Sequence, residues 1–222
     1  MASALVLFSG GQDSTVCLFW ALKKFERVET VCFSYGQRHK TEIEAAKNIA
    51  HQSGVTFSVV DLSMIAGLSV NALTDESMVM DSEKPQNALP NAFVPGRNML
   101  FISVAAVFAY ERNISDIVIG VSQADYSGYP DCRQSFIRSI NKTVNLAFDG
   151  QFVIHTPLML MDKAAVWQLA DKLNIFDLVR TKTVTCYNGI SGDGCGNCPS
   201  CKLRKNGLDE YYSKVSSREA KT

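Results

Sequence analysis

The chain has 222 residues, 46% of them hydrophobic and 20% charged, which suits one globular domain, or a domain with a small appendage, around a sizeable core. Lysine plus arginine and aspartate plus glutamate each number 22, so the formal net charge is zero and the total points to neither a nucleic-acid nor a membrane partner, with a local basic patch left open. The first residues lack a basic leader, their apolar run breaks at Ser9, and no stretch approaches the roughly 20 apolar residues of a membrane span, which predicts a soluble cytoplasmic protein.

In chain order, Ala4 to Phe8 reads as a short buried strand and Asp13 to Phe25 as a helix with Val16, Phe19 and Trp20 at turn spacing. Between them stand Ser9-Gly10-Gly11-Gln12-Asp13-Ser14. Glycines let an anion approach the backbone, and the free N–H groups and positive dipole end of the helix point at that anion, so the corner describes a phosphate cradle. It lacks the Walker pattern, because no lysine follows the glycines; Ser9, Asp13 and Ser14 are the polar groups instead. The alternative is an ordinary turn rich in glycine and serine. SGGQDS resembles the pyrophosphatase loop of the N-type (PP-loop) ATP-dependent synthetases, in which the α-phosphate is attacked and pyrophosphate leaves.

Val28 to Phe33 and Val55 to Val60 are further strands, and Thr41-Glu42-Ile43-Glu44 has the pattern of a capping box opening a helix to about Ser53. Such alternation implies parallel β-α-β units with helices on both faces and ligands beyond the carboxyl ends of the strands. Tyr35-Gly36-Gln37-Arg38-His39 leaves one such end. Residues 62 to 92 read either as a long active-site loop or as a solvated insertion. Arg97, in Val94-Pro95-Gly96-Arg97-Asn98, opens the helix Met99 to Tyr110; its charge opposes the dipole unless an anion, or an internal carboxylate, joins it.

Ile117 to Val121 is the fourth strand, and the loop 122 to 133 after it carries Asp125, Tyr126, Tyr129, Asp131 and Arg133, a composition that suits either a planar heterocycle or a polar turn capping helix 133 to 147. Phe152 to Ile154 is a fifth strand. Asp162 caps a helix ending near Leu173, with Lys163 in its first turn as either a phosphate ligand or a solvated side chain. His51 and His155 are expected to be structural, and Cys17 and Cys32 to lie in the core.

Near the C-terminus, Cys186-x8-Cys195-x2-Cys198-x2-Cys201 offers four thiolates among glycines. Four sulfurs at this spacing fit a closed, structural Zn²⁺ site, with an iron–sulfur cluster as rival. The tail from Tyr211 onward turns polar and is expected to fray.

Taken together, SGGQDS, YGQRH, FVPGRN, DYSGYPDCR, HTPLM and CYNG…GDGCGNCPSCKLR resemble, in this order and from about residue 4 to residue 205, the 7-cyano-7-deazaguanine synthase family of queuosine biosynthesis. The chain departs from the family pattern at Ser122-Gln123, where Cys-Glu is usual, and at Leu160, where tryptophan is frequent. The resemblance implies an α/β fold: a doubly wound, mostly parallel five-stranded sheet, Rossmann-like and of the adenine nucleotide alpha hydrolase type, with a small C-terminal zinc-binding segment. Residues 1–180 would be the ATP-binding PP-loop domain and residues 181–222 the four-cysteine segment with its polar tail.

The implied reaction converts 7-carboxy-7-deazaguanine and ammonia to 7-cyano-7-deazaguanine with ATP and Mg²⁺, through adenylation of the carboxylate and then of the amide. Phe8, Ser9, Gly10, Gly11, Gln12, Asp13, Ser14 and Thr15 would bind ATP, with Asp13 also a Mg²⁺ contact. Asp13, Arg97 and Lys163 would be catalytic, the two cations neutralising charge at the α-phosphate and leaving group. Tyr35, Gln37, Arg97, Asn98, Asp125, Tyr129, Asp131 and Arg133 would form the deazaguanine pocket, Asp131 facing its N–H edge, and Cys186, Cys195, Cys198 and Cys201 would hold zinc. A homodimer without nucleic-acid or membrane partners is implied as well. The rivals are a PP-loop enzyme that modifies tRNA, a nucleotide-binding zinc protein without catalysis, and a paralogue that passes the acyl-adenylate to a protein.

Overall fold

A computed structural model describes residues 2–37, 40–67, 71–74, 91–124, 128–150 and 152–219. Its strands are β1 (Ser3–Leu7), β2 (Arg27–Ser34), β3 (Thr56–Asp61), β4 (Asp116–Val118) and β5 (Val153–His155). They form one sheet in the order β3-β2-β1-β4-β5, and each neighbouring pair is parallel. The helices are α1 (Gln12–Leu22), α2 (Thr41–Gln52), α3 (Arg97–Tyr110), α4 (Gln134–Phe148), α5 (Lys163–Lys172), α6 (Phe176–Lys182) and α7 (Pro199–Glu219).

The period of two along a strand divides the core. Ala4, Val6 and Phe8 face a layer built from α1, α2, α5, α6 and α7, in which Trp167 is fully buried. Leu5 and Leu7 face the opposite layer, where α3 supplies Ile102, Ala105, Ala106 and Ala109 and α4 supplies Ile137, Ile140 and Val144. A strand buried on both faces must be apolar throughout, which is why the first run lacks alternation. The doubly wound sheet is thus present, and its order reverses direction between β1 and β4, where a crevice opens at the strand ends.

Several local expectations change. The capping box of α2 does not form: the N-cap is Lys40, in helical geometry and without a side-chain cap bond. β4 ends at Val118 rather than Val121, because the chain leaves the ladder and Gly120 passes over the first turn of α1; a Cβ there would lie 3.1 Å from Asp13 C and 3.2 Å from Ser14 N. The tail does not fray at Tyr211, which is buried in the first core on α7 together with Leu208. Residues 181–219 thus share that core through α7, while Cys186, Cys198 and Cys201 form a small cluster of their own with Tyr187 and Cys195. Of the long segment 62 to 92, Ser63–Gly67 is a 3-10 turn, and residues 68–70 and 75–90 lie outside the described residues.

Candidate active site

The glycine corner works through close approach. Gly10 has φ +80°, and a Cβ on it would stand 2.6 Å from Glu42 O and 2.7 Å from Ala46 N, so only glycine lets the loop rest on α2. The loop then folds on itself: Ser14 Oγ accepts from Ser9 N at 3.2 Å and lies 3.1 Å from Ser9 Oγ. α1 begins without a side-chain cap of its own from Gly11. Its first N–H, of Gln12, is accepted by Thr185 Oγ1 at 3.1 Å, from a segment far along the chain. The N–H groups of Asp13 and Ser14 remain for an anion at the positive end of the helix.

Lys163 reaches the same corner from α5, whose N-cap Asp162 accepts from Ala165 N at 2.7 Å. Its side chain is 9% exposed, and its ammonium lies 2.6 Å from Asp13 Oδ2. The other carboxylate oxygen, Asp13 Oδ1, is buried and has no partner among the described residues, as is true of both polar atoms of the Gln12 side chain. Buried polar atoms are ordinarily hydrogen-bonded, so these orphans call for a polar partner, water or ligand. A bare carboxylate oxygen is the kind of donor that Mg²⁺ prefers.

The cleft holds about 500 Å³ and is lined by Ser9, Gly11, Gln12, Asp13, Ser14 and Lys163 at one end and by aromatic side chains at the other. Phe33 and Phe101 stack with centroids 4.4 Å apart, and Arg97 Cζ stands 5.8 Å from the Tyr35 ring. Burial acts against the Arg97 charge, but Tyr35, Tyr187, Tyr129 and Asp131 outweigh it and its pKa is raised. Glu42 also lines the cleft. Burial pushes its carboxyl up to about 7, with Arg97 opposing.

Of the substrate-pocket candidates, Tyr35, Gln37, Arg97, Asn98 and Tyr129 line this cleft. Gln37 spends its amide on the β2 loop, accepting from Tyr35 N at 2.8 Å and donating to Phe33 O at 3.3 Å. Asp131 is not among the lining residues: its Oδ2 accepts from Asn98 N at 3.1 Å, capping the first turn of α3. Arg133 lines an adjoining hollow of about 430 Å³ that shares Ser122, Tyr129 and Cys132 with the cleft. Asp125 lies outside the described residues. Phe8 lines the cleft, whereas Thr15 is buried within α1, donating to Gly11 O at 2.8 Å. Gln123 accepts from Gln134 N at 3.0 Å and so caps α4.

Three residues escaped the sequence: Glu42, Thr185 and Tyr187 all line the cleft. The last two flank Cys186, so the signal was their place beside a metal ligand. The four sulfurs of Cys186, Cys195, Cys198 and Cys201 lie within 4.8 Å of one another. Tetrahedral Zn–S bonds of about 2.3 Å place sulfurs roughly 3.8 Å apart. The set therefore fits a thiophilic metal. Backbone N–H groups of Cys198 and Asn197 lower the Cys195 thiol to about 6, favouring the thiolate a metal needs.

Comparison with known proteins decides the lineage. The family model described as "Queuosine biosynthesis protein QueC" matches residues 3–212. This chain belongs to the QueC family. Among its relatives, the 7-cyano-7-deazaguanine synthase of Bacteroides fragilis is 63% identical over 212 residues, covering 96% of this chain and 97% of that protein. The synthase of Parabacteroides distasonis is 60% identical over 218 residues, covering 98% and 97%. Among solved structures, a 4-thiouridine synthetase in complex with RNA and bound ATP superposes with a TM-score of 0.54 at 17% identity, covering 97% of this chain and 50% of that one. A predicted tRNA methyltransferase subunit from Methanocaldococcus jannaschii gives 0.52 at 19% identity, covering 77% and 75%. These likenesses speak to the fold alone. As a QueC-family member the chain carries its glycine corner, Arg97 and Lys163 in a single cleft.

Proposed function

We propose that this chain is a 7-cyano-7-deazaguanine synthase, joining 7-carboxy-7-deazaguanine and ammonia with release of AMP and pyrophosphate. The observation that carries the reading is the close identity to synthases over nearly the whole of both chains. The geometry supports it: an anion site made from a helix N-terminus and a lysine adjoins an aromatic cleft large enough for a planar base.

On this reading Ser9 to Ser14 bind the phosphates of ATP, and Lys163 and Arg97 bear on the negative charge that grows as a substrate oxygen attacks the α-phosphorus. A Mg²⁺ ion held by Asp13 would add charge neutralisation at the phosphates. No protein nucleophile is needed; carboxylate and ammonia supply the electrons, so the protein contributes position and electrostatics. Tyr35, Arg97, Asn98 and Tyr129 surround the heterocycle. Zinc on the four cysteines is structural, since four sulfurs close its coordination shell. A homodimer in the cytoplasm completes the proposal.

Incubation with 7-carboxy-7-deazaguanine, ammonium, ATP and Mg²⁺, followed by mass analysis, is expected to yield the nitrile with AMP and pyrophosphate. ADP and orthophosphate as products would remove attack at the α-phosphorus.

A further inference from the structure

The Thr185 hydroxyl has an unusual set of partners. A hydroxyl oxygen carries two lone pairs and one proton. Arg204 Nη1 donates to Thr185 Oγ1 at 2.9 Å and Gln12 N donates to it at 3.1 Å, so both lone pairs are taken. The proton must point away from both donors, and no described residue accepts it. Thr185 lines the cleft, and a Cβ built on Gly11 would stand 3.9 Å from its Oγ1. The free O–H therefore sits beside the anion-binding end of α1.

The donor behind that hydroxyl, Arg204, also favours an anion nearby. Arg204 is 3% exposed, and its acceptors are all neutral oxygens: Thr183 Oγ1 at 2.8 Å, Thr185 Oγ1, Val179 O at 2.8 Å and Arg180 O at 3.1 Å. Its guanidinium also lies 5.1 Å from the Trp167 ring centroid, while Trp167 Nε1 donates to Arg204 O at 3.2 Å. Burial acts against the Arg204 charge and Asp193 and Asp13 offset it only in part, so further negative charge nearby is favoured. Donation from Arg204 also polarises the Thr185 O–H, making it a stronger donor.

We propose that Thr185 donates its hydroxyl proton to the pyrophosphate portion of the nucleotide, and that Arg204 acts as a positioning residue that fixes this orientation. The proposal rests on the synthase reading, in which pyrophosphate is the group that leaves. A hydrogen bond from the segment beside Cys186 would then join Lys163 in holding that group.

The test is binding of inorganic pyrophosphate and, separately, of AMP to the zinc-loaded protein and to Thr185→Val and Thr185→Ser, by calorimetry. Loss of a hydrogen bond to a charged group corresponds to a weakening of about tenfold or more. Thr185→Val is expected to weaken pyrophosphate by that factor and to leave AMP within about twofold, whereas Thr185→Ser retains parental affinity for both. Unchanged pyrophosphate affinity in Thr185→Val, or equal weakening of AMP and pyrophosphate, overturns the proposal. Should Thr185→Val fail to fold, a crystal structure of the parent with pyrophosphate decides. A phosphate oxygen within about 3.2 Å of Thr185 Oγ1 supports donation, and none within about 4 Å overturns it. A parent that makes no nitrile removes the synthase reading; a parent that makes it, with an insensitive Thr185→Val, removes only the role of Thr185.

Discussion

Lys163 and Asp13 neutralise each other across 2.6 Å before any nucleotide arrives, so a phosphate entering the corner meets a cation whose position is already set. Removing such a donor from a preorganised site costs about 10²–10³ in rate. Lys163→Met is therefore expected to lower nitrile formation by at least about 10²-fold while circular dichroism stays that of the parent; a smaller loss would place the lysine outside the reacting centre. Glu42 makes a prediction in pH. Its folded pKa, raised to about 7 by burial, exceeds the ordinary carboxyl value of 4.5, so folding favours the protonated form. The stability it lends is complete below about 4.5 and is lost as pH climbs through about 7. Glu42→Gln should match the parent at pH 4.5 and exceed it at pH 8 by on the order of 1–3 kcal/mol, read from denaturant titrations at both values; equal stability at pH 8 would show the carboxylate to be solvated.

Charged residues at predicted helix starts were readable at this scale. Arg97 and Lys163 oppose a dipole, and both do line the cleft. The place of Asp131 was not readable, because a carboxylate serves a ligand or a helix N-terminus equally well; its Oδ2 accepts from Asn98 N at 3.1 Å. Thr185 and Arg204 were silent for a different reason. Threonine and arginine have no spacing that marks a hydrogen bond closing over a separation of 173 residues, as between Gln12 and Thr185.

Among the elements, α7 decides where α5 sits. Gly207 on α7 packs against Lys163 itself, and a Cβ there would overlap the Lys163 Cβ and stand 2.9 Å from its carbonyl carbon. Alanine would gain up to about 1 kcal/mol of helix propensity. Overpacking costs about 1–3 kcal/mol, and backbone cannot yield as a side-chain tip does, so the clash wins. Gly207→Ala is expected to lower both the melting temperature and turnover by displacing Lys163. A variant as active and as stable as the parent would show that α7 does not set the lysine. The strands and the first five helices were expected from apolar runs and cap patterns, while α6 and α7 were not. The sequence of α7 is polar with an internal glycine, and it is helical because Leu208 and Tyr211 dock on the core beside Trp167.

At the scale of the molecule, two layers cover one parallel sheet, and the four-cysteine segment lies across the strand ends rather than apart from them. Thr185 and Tyr187 enter the cleft from either side of Cys186, and Arg204 follows Cys201 by one helical turn. Metal removal is therefore expected to act on folding first: chelation, or Cys198→Ser, should lower the melting temperature and loosen residues 183–204, measured by calorimetry and hydrogen exchange, with about one zinc per chain in the parent. A metal-free protein that melts like the parent yet is inactive would make the metal catalytic instead.

Local chemistry written along the chain determined the strand-helix alternation, the glycine corner and the four-cysteine cluster. Each depends on residues within a few positions of one another, so their spacing carries the information. What closes the cleft was decided only by tertiary structure. Glu42, Thr185, Tyr187 and Arg204 gain their places from packing between α2, α7, the four-cysteine segment and the strand ends, and contacts between distant segments leave no period in a sequence.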